Sequence, residues 1–285
     1  MNDKEALRAA AEPQPGDRIG PYRVEEMLGE GGMGRVYRAV GPDGTLVALK
    51  VVKAELAKDE VFRRRFERES GAAARVEHTN VVPVLATGEQ DGIPYMAQVF
   101  ITGGSLEQKI KRETRLTLGE TVDLCTQVAD GLDALHAEGL IHRDVKPANI
   151  LLDGQGKAYI TDFGLMKDRE ASVLTRPGQA LGSMDYMAPE QIRGEEVGPA
   201  TDVYALACML TELLTGKPPF GDQVGMRIMW AHLQDPPPHP SDMKATLPRP
   251  VGDAILKGLE KEPEKRPPTA TAYAHMVRIA ALGMN

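Results

Sequence analysis

The chain is poor in cysteine and has no excess of positive charge. Its 285 residues include two cysteines, Cys125 and Cys208, each in an apolar segment of helical character. We expect both to be reduced core thiols of a cytoplasmic protein, because disulfide frameworks and zinc sites show other cysteine spacings. The formal net charge of −7 argues against nucleic acid as a partner, since proteins that bind it usually present a basic surface.

Long apolar runs are also missing. The longest, at residues 204–210, is too short to cross a bilayer and is followed by Glu212. We therefore expect no membrane segment and no signal peptide in this chain. The hydrophobic content of 42% and charged content of 26% are those of an ordinary globular protein with one large domain or two small ones.

The pattern along the chain predicts an α+β fold with two lobes. Residues 1–20 show no periodicity and indicate a flexible leader. Residues 21–101 contain short strands between glycine turns, at 22–28, 35–40, 45–52 and 94–100, with one helix over about 60–76. Residues 102–285 have helical periodicity at 117–139, 201–214, 224–233, 251–259 and 270–282, the first with a capping box at Thr117 and Glu120. A small β-rich lobe and a larger helical lobe would leave a cleft suited to a ligand.

The chemistry is concentrated in the sequences HRDVKPAN, at residues 142–149, and DFG, at residues 162–164. Asp144, Asn149 and Asp162 supply oxygen atoms, Lys146 supplies a cation, and a short apolar hairpin pattern lies between the two motifs. These groups are suited to bind magnesium, to accept a proton from a hydroxyl group and to neutralise the charge of a phosphoryl group during its transfer.

A glycine-rich motif, GEGGMGRV, lies upstream at residues 29–36. Its spacing alone is weak evidence, because dinucleotide-binding folds share it. Here a strand pattern follows, where a dinucleotide fold would have a helix, and the sequence lacks the G-K-[ST] ending of a phosphate-binding P-loop. The alternatives are a plain glycine turn and a flap whose backbone amides can approach phosphates, and the context favours the flap.

A lysine and a glutamate complete the pattern. Lys50 ends an apolar strand, where a lone lysine is usually a solvated edge residue. In the next helix, a projection at about 100° per residue places Glu69 on the apolar stripe and Glu67 away from it. A carboxylate on a buried face needs a cationic partner. The stripe consists of Phe62, Phe66, Glu69, Ala73 and Val76.

Together these motifs resemble the catalytic domain of bacterial, eukaryote-like (Hanks-type) serine/threonine protein kinases, over residues 22–282. The K-P-A-N sequence resembles the serine/threonine branch. The resemblance implies a bilobal kinase fold, ATP and Mg²⁺ (or Mn²⁺) as cofactors, and transfer of the γ-phosphoryl group to Ser/Thr hydroxyls of proteins, with activation by autophosphorylation of the activation loop.

The resemblance also assigns roles to residues. Asp144 would accept the hydroxyl proton, Lys146 would stabilise the transferred phosphate, and Asn149 and Asp162 would hold the metal. Lys50 and Glu69 would form the pair that positions the α- and β-phosphates. The residues expected to contact ATP are Leu28, Gly29, Gly31, Gly34, Val36, Ala48, Lys50, Gln98, Val99, Phe100, Ile101, Leu151 and Asp162. Val99 departs from the family's frequent glutamate, which should affect inhibitor fit more than ATP binding.

Regulatory and structural roles follow in the same way. Thr175 is the first candidate for activation-loop phosphorylation and Ser172 the second, with Arg143 as the cation that receives the phosphate. Ser183 would lie near the substrate, close to Asp144 and Lys146. Structural roles fall to Phe163, packed on His142, to Asp202, which would brace the catalytic loop, and to a buried Glu190–Arg266 pair. Ala207 replaces a glycine of the family and should be tolerated.

Two alternatives remain: a pseudokinase scaffold of the same fold, and a small-molecule kinase of related fold. The complete set of catalytic residues argues against the first, and the long segment before Ala188-Pro189-Glu190 argues against the second. The expected partners are protein substrates, with a homodimer through the small lobe as a further state that some relatives adopt. The expected location is the cytoplasm, either as a separate protein or as the cytoplasmic domain of a membrane-anchored one.

Overall fold

The structure is a computed structural model that describes residues 13–113, 116–163 and 184–283. The described residues divide into two compact units, one formed by residues 13–77 and 82–100, the other by residues 78–81 and the described residues from 101 to 283. The sequence predicted a boundary between residues 101 and 102. Residues 78–81, predicted in the small lobe, belong to the second unit because Asn80 accepts a hydrogen bond from Ile160 N and donates one to Ala158 O.

The first unit is an antiparallel sheet with two helices. Its strands are β1 (Arg18–Ile19), β2 (Tyr22–Glu30), β3 (Gly34–Val40), β4 (Leu46–Val52), β5 (Val84–Gln90) and β6 (Ile93–Val99), in the order β1-β2-β3-β4-β6-β5. The helices are α1 (Ala54–Ala57) and α2 (Glu60–Ala73). The predicted strands are present within two residues at each end, whereas α2 ends three residues before the predicted end.

Strand β1 lies where the sequence predicted a flexible leader. Gln90 holds it by accepting a hydrogen bond from Gly20 N and donating one to Arg18 O. The Tyr95 ring lies against both Gly20 and Gly88, where an added Cβ would come within 2.2 and 2.4 Å of the hydroxyl oxygen. These partners are some seventy residues away in sequence, so local periodicity could not reveal the strand.

The strand register separates the two faces of this sheet. Tyr37, Ala39, Val47, Leu49 and Ala97 belong to a buried apolar cluster on one face. Because side chains alternate along a strand, the positions between them face the other way. Val36 lies opposite Lys50 across β3 and β4, and Ala48 opposite Gln98 across β4 and β6. Four residues expected at the nucleotide site therefore share the second face.

The second unit is mainly helical. Its helices are α3 (Leu106–Glu113), α4 (Leu118–Ala137), α5 (Pro189–Arg193), α6 (Pro199–Thr215), α7 (Met226–Gln234), α8 (Pro240–Met243), α9 (Arg249–Gly258) and α10 (Ala270–Leu282), with a hairpin of β7 (Ile150–Leu152) and β8 (Ala158–Ile160). The predicted capping box of α4 is present. Helices α3, α5 and α8 were not predicted individually, because each is only eight residues or shorter.

Helix α6 is the buried centre of this unit. All its residues from Thr201 to Leu214 except Glu212 are buried, and it packs against α4, α9 and α10. Cys208 on α6 and Cys125 on α4 are buried free thiols, and burial raises the pKa of Cys125 to about 12. Within the described ranges, no helix combines the length and apolarity needed to span a membrane.

Ala207 fits its position because a glycine faces it. A Cβ added to Gly258 of α9 would lie 2.7 Å from the Ala207 Cβ and 2.8 Å from the Tyr273 ring. The methyl group of Ala207 thus occupies space that a side chain at position 258 would need.

We predict that Gly258→Ala lowers the free energy of unfolding by about 1–3 kcal/mol through overpacking. Ala207→Gly in the same chain should recover part of that loss, so the two changes should be non-additive in chemical denaturation. Gly119→Ala is the control, because its added Cβ meets no described atom within 4 Å. Strict additivity of the two changes would contradict the packing argument.

Candidate active site

In the second unit, Lys146 and Asn149 of the predicted catalytic loop (residues 142–149) lie beside Asp144. Asp144 Oδ2 lies 2.9 Å from Lys146 Nζ and accepts a hydrogen bond of 3.0 Å from Asn149 Nδ2. Asn149 Nδ2 also donates to Asp144 O at 2.8 Å. The turn at Pro147–Asn149 makes this possible by folding the chain back within five residues. A carboxylate, an ammonium group and an amide are therefore held together.

The backbone just before Asp144 is fixed from outside the loop. Asp202, at the start of α6, accepts hydrogen bonds from His142 N at 2.9 Å and Arg143 N at 2.8 Å. Gln191 Nε2 donates to Arg143 O at 2.9 Å. Arg143 has a φ of 65°, which is unfavourable for a residue with a side chain and needs such external support. This is the bracing role expected of Asp202, with Gln191 as a second brace.

The β7–β8 hairpin joins the two motifs. It begins directly after Asn149 and ends two residues before Asp162, and Thr161 N donates to Asn149 O at 3.0 Å. His142 bridges the same region, because Asp144 N donates to its Nδ1 and its Nε2 lies 3.0 Å from Thr161 O. Its ring lies 6.5 Å from that of Phe163 in an edge-on arrangement. His142 is thus a structural residue beside Phe163.

Asn149 and Asp162 fit the metal expected from the sequence. The amide nitrogen of Asn149 points to Asp144, so its carbonyl oxygen is the atom it can offer to a cation. Asp162 has a φ of 59°, an uncommon backbone conformation for a residue other than glycine. Hard divalent cations such as Mg²⁺ prefer oxygen donors of these two kinds. Binding of the metal stays a prediction.

In the first unit, Lys50 and Glu69 are both buried, with 8% and 7% of their surfaces exposed. Glu67 is exposed, as the helical projection predicted. Glu69 Oε1 accepts a hydrogen bond of 2.9 Å from Arg65 Nε and lies 3.6 Å from Arg68 Nη2. The carboxylate therefore has cationic partners on its own helix, which the sequence argument did not identify. The Lys50–Glu69 pair stays a prediction.

The glycines of the GEGGMGRV motif differ in why a glycine is present. A Cβ added to Gly34 would lie 2.2 Å from Val51 O, so strand packing requires this glycine. A Cβ added to Gly29 would meet no described atom within 4 Å, and one on Gly31 would meet only Gly34 O at 3.9 Å. Neither residue has a left-handed φ. Since neither packing nor backbone conformation demands glycine there, close approach of a ligand is a sufficient reason for it.

The residues expected to contact ATP differ in burial. Leu28 is 44% exposed at a register shift of β2, whereas Val36, Ala48 and Leu151 are half-buried. Gln98 is 4% exposed, and its Nε2 has no hydrogen-bond partner among the described residues. Such a donor costs free energy unless something binds it. The residues that follow, Val99, Phe100 and Ile101, are half-buried. ATP contact by these residues stays a prediction.

Glu190 and Arg266 form a buried bidentate ion pair. Arg266 Nη1 and Nη2 lie 2.7 and 2.9 Å from the two oxygens of Glu190. The other donors of Arg266 reach the carbonyl oxygens of Ala200, Glu260 and Lys261, so all five N–H groups are used. Burial opposes ionisation of Glu190, but Arg266 outweighs it and holds the pKa of Glu190 below its usual value.

Some residues with predicted roles lie outside the described ranges, and some residues that support the site were not predicted. Gly164, Ser172, Thr175 and Ser183 fall in residues 164–183, outside the described ranges. The sequence predicted no role for His136, yet its Nε2 lies 2.7 Å from Asp202 Oδ2. The sequence feature that could have indicated this contact is the position of the histidine beside the buried face of a predicted helix. Gln191 offered no comparable signal.

Comparison with known proteins identifies the family. The protein kinase domain model matches residues 22–277. The chain is 40% identical over 261 residues to the serine/threonine-protein kinase PknH of Mycobacterium tuberculosis, and 41% identical over 258 residues to PknD of the same organism. The PknI kinase domain of M. tuberculosis has the same fold, with a TM-score of 0.77 and 31% identity over 94% of this chain and 100% of that one.

The chain belongs to the protein kinase family, and the bilobal kinase fold and the Hanks-type serine/threonine class predicted from the sequence are confirmed. The curated matches cover 90% of this chain but only 41% of PknH and 39% of PknD. The chain therefore spans about two fifths of the length of these relatives.

We predict that Arg266→Lys lowers the free energy of unfolding by about 2–3 kcal/mol, because three donors on one nitrogen cannot replace five in a planar group. Urea denaturation measures the change. Arg278→Lys on the exposed face of α10 is the matched control and should be close to neutral. An equal effect of both substitutions would contradict the importance of the planar geometry.

Proposed function

We propose that this domain transfers the γ-phosphoryl group of ATP to serine or threonine hydroxyls of protein substrates, with Mg²⁺ or Mn²⁺. The observation that carries the proposal is the Asp144 carboxylate, held 2.9 Å from Lys146 Nζ and 3.0 Å from Asn149 Nδ2 on a loop braced by Asp202. A proton acceptor beside a fixed cation is what phosphoryl transfer to a hydroxyl requires. The serine/threonine kinase relatives support the same reaction.

Each residue has a limited task in this proposal. Asp144 orients the acceptor hydroxyl and takes its proton, while Lys146 donates hydrogen bonds to the phosphoryl oxygens. Asn149 and Asp162 would hold the divalent cation, which neutralises phosphate charge when bound. In the first unit, Gly29 and Gly31 allow the backbone to approach the phosphates, and Lys50 binds them. Catalysis comes from positioning and charge, with no covalent enzyme intermediate.

We predict that Asp144→Asn lowers kcat by about a hundredfold or more, because the amide keeps the shape but accepts no proton. Labelled ATP, Mg²⁺ and a generic protein substrate provide the assay, with phosphoserine and phosphothreonine measured as products. Retained ATP affinity in the variant would show that the loss lies in the chemical step.

The control is Asp123→Asn, the same chemical change at an exposed position on α4, which should leave kcat unchanged. Equal phosphate incorporation by the wild type and Asp144→Asn would exclude the proposed role of Asp144. Absence of turnover in the wild type would favour the pseudokinase alternative. Phosphorylation of aminoglycosides or choline instead of peptides would favour the small-molecule alternative.

Regulation by autophosphorylation is a second part of the proposal. Thr175, and after it Ser172, would receive the phosphate, which Arg143 would bind through a charge-assisted hydrogen bond. Arg143 directly precedes Asp144, and hydrogen bonds hold its backbone on both sides, so a phosphate bound there would act on the catalytic loop. Ser183 would contact Asp144 and Lys146.

We predict that Thr175→Ala lowers activity about tenfold, equivalent to the loss of one interaction of about 1.4 kcal/mol. Phosphatase-treated wild type, Thr175→Ala and Ser172→Ala are incubated with ATP, and the phosphosites are mapped by mass spectrometry over time. Activity of the wild type should rise as Thr175 is modified. Fully active wild type without phosphate on either residue would contradict this mechanism.

The remaining expectations concern partners and location. The relatives are longer than this chain, so the whole protein can include other segments that determine its substrates and placement. A homodimer through the first unit, and a cytoplasmic location either free or as part of a membrane-anchored protein, stay predictions from the resemblance.

A further inference from the structure

His136, near the end of α4, lies between two carboxylates. Its Nε2 is 2.7 Å from Asp202 Oδ2, its Nδ1 is 3.5 Å from Asp133 Oδ1, and 9% of its side chain is exposed. A neutral imidazole carries one N–H and cannot donate from both nitrogens. The geometry therefore suits the doubly protonated, positively charged ring.

The groups around His136 come from four parts of the second unit. On its own helix, α4, the charged neighbour is Asp133, and from α6 it is Asp202. Helix α10 supplies the N–H groups of Ala270 and Thr271 and the Thr271 hydroxyl, all donated to Asp133 at 2.6–3.0 Å. The catalytic loop supplies its backbone N–H groups to Asp202.

The electrostatics agree with this geometry. Burial disfavours the charged form of His136, but its hydrogen bonds with Asp133 and Asp202 outweigh that cost and raise the pKa of His136 to about 9. Burial likewise opposes ionisation of Asp133, yet hydrogen bonds from His136, Thr271 and Ala270 lower the pKa of Asp133 to about 2. A charged His136 beside an ionised Asp133 is thus the form expected at neutral pH.

Asp202 connects this arrangement to the catalytic loop. It is fully buried, and its Oδ2 contacts His136 Nε2 and accepts a hydrogen bond from His142 N, while its Oδ1 accepts one from Arg143 N. A buried carboxylate with only neutral donors would be held less firmly than one with a cationic partner. The unfavourable φ of Arg143 makes the loop sensitive to that difference, because the strained form persists only while its surroundings impose it.

We propose that His136 is a positioning residue for phosphoryl transfer: its charged ring bridges Asp133 and Asp202 and thereby fixes the carboxylate that holds His142 and Arg143, directly before Asp144. His136 acts through Asp202 and does not contact the reacting atoms. The catalytic part of this inference rests on the proposed kinase function. The structural part, the state of the loop, can be measured independently of activity.

The first experiment compares His136→Gln with the wild type, using His275→Gln on the exposed face of α10 as the matched control. His136→Gln should lower kcat by about tenfold to a hundredfold, the usual effect of a small misplacement of catalytic groups, with KM for ATP nearly unchanged. Hydrogen exchange of the Arg143 amide should become at least about tenfold faster, since its acceptor is held less firmly. His275→Gln should change none of these.

The second experiment tests the charge. A group whose pKa is raised on folding stabilises the protein fully below its unfolded value, near 6.5, and loses that contribution as pH rises through about 9. The stability advantage of the wild type over His136→Gln should therefore shrink between pH 6 and pH 9.5. Asp133 stays ionised throughout this range, because its pKa is about 2. An NMR titration of the His136 ring in the wild type gives the same answer without any variant, should His136→Gln fail to fold.

Each outcome decides something. If His136→Gln has the same kcat and the same Arg143 amide exchange rate as the wild type, the positioning role is overturned, even if the variant is less stable. A His136 ring that is neutral at pH 7.5, or a stability difference independent of pH, would overturn the charged bridge. An inactive wild type would refute the proposed function, and the exchange and titration data would still decide whether His136 fixes the loop.

Discussion

The hydrogen bonds accepted by the buried Asp202 carboxylate are the interactions on which the site in the second unit depends. This carboxylate accepts the backbone N–H groups of His142 and Arg143 and pairs with the His136 ring. These contacts impose on Arg143 a backbone conformation that it would not adopt by itself. Asp144 follows directly, so the direction of its carboxylate is set by a residue some sixty positions later in the chain. Asp202 also lies in the first turn of α6, where the helix dipole favours a negative charge.

Helix α6 anchors a second buried charge as well. Thr201, next to Asp202, donates to Glu190, which Arg266 holds with two of its five N–H groups. Buried ion pairs are costly unless every polar atom finds a partner, and here the remaining donors of Arg266 reach backbone carbonyls. The same helix thus supports both the catalytic loop and the segment that begins with α5. Helix α6 is a suitable support for both, because nearly all of its residues are buried.

Glycine positions show how similar sequence features can have different physical causes. Gly34 is required by the approach of the β4 backbone, whereas Gly29 and Gly31 have open space beside them. Gly258 leaves room for the methyl group of Ala207, the residue that departs from the family's usual glycine. The sequence argument treated Ala207 as a matter of helix propensity, and the structure shows that its packing partner also matters.

Local patterns in the sequence were enough to predict most strands and long helices, the capping box of α4, the burial of Glu69 and the grouping of Asp144, Lys146 and Asn149. Each of these depends on residues close in sequence, where periodicity, turn chemistry and motif spacing act directly. Strand β1, the assignment of residues 78–81, and the roles of His136 and Gln191 could not be predicted in this way, whereas Arg65, four residues before Glu69 on the same helix, is a local partner that the sequence argument did not identify. The features that could not be predicted depend on partners between about 48 and 80 residues away, such as Gln191 with Arg143 and Asn80 with Ile160. The sequence therefore determined which chemical groups this protein has and where they cluster locally. Only the tertiary structure decided which distant side chains hold those groups in place, because burial and hydrogen-bond partners are properties of the folded chain.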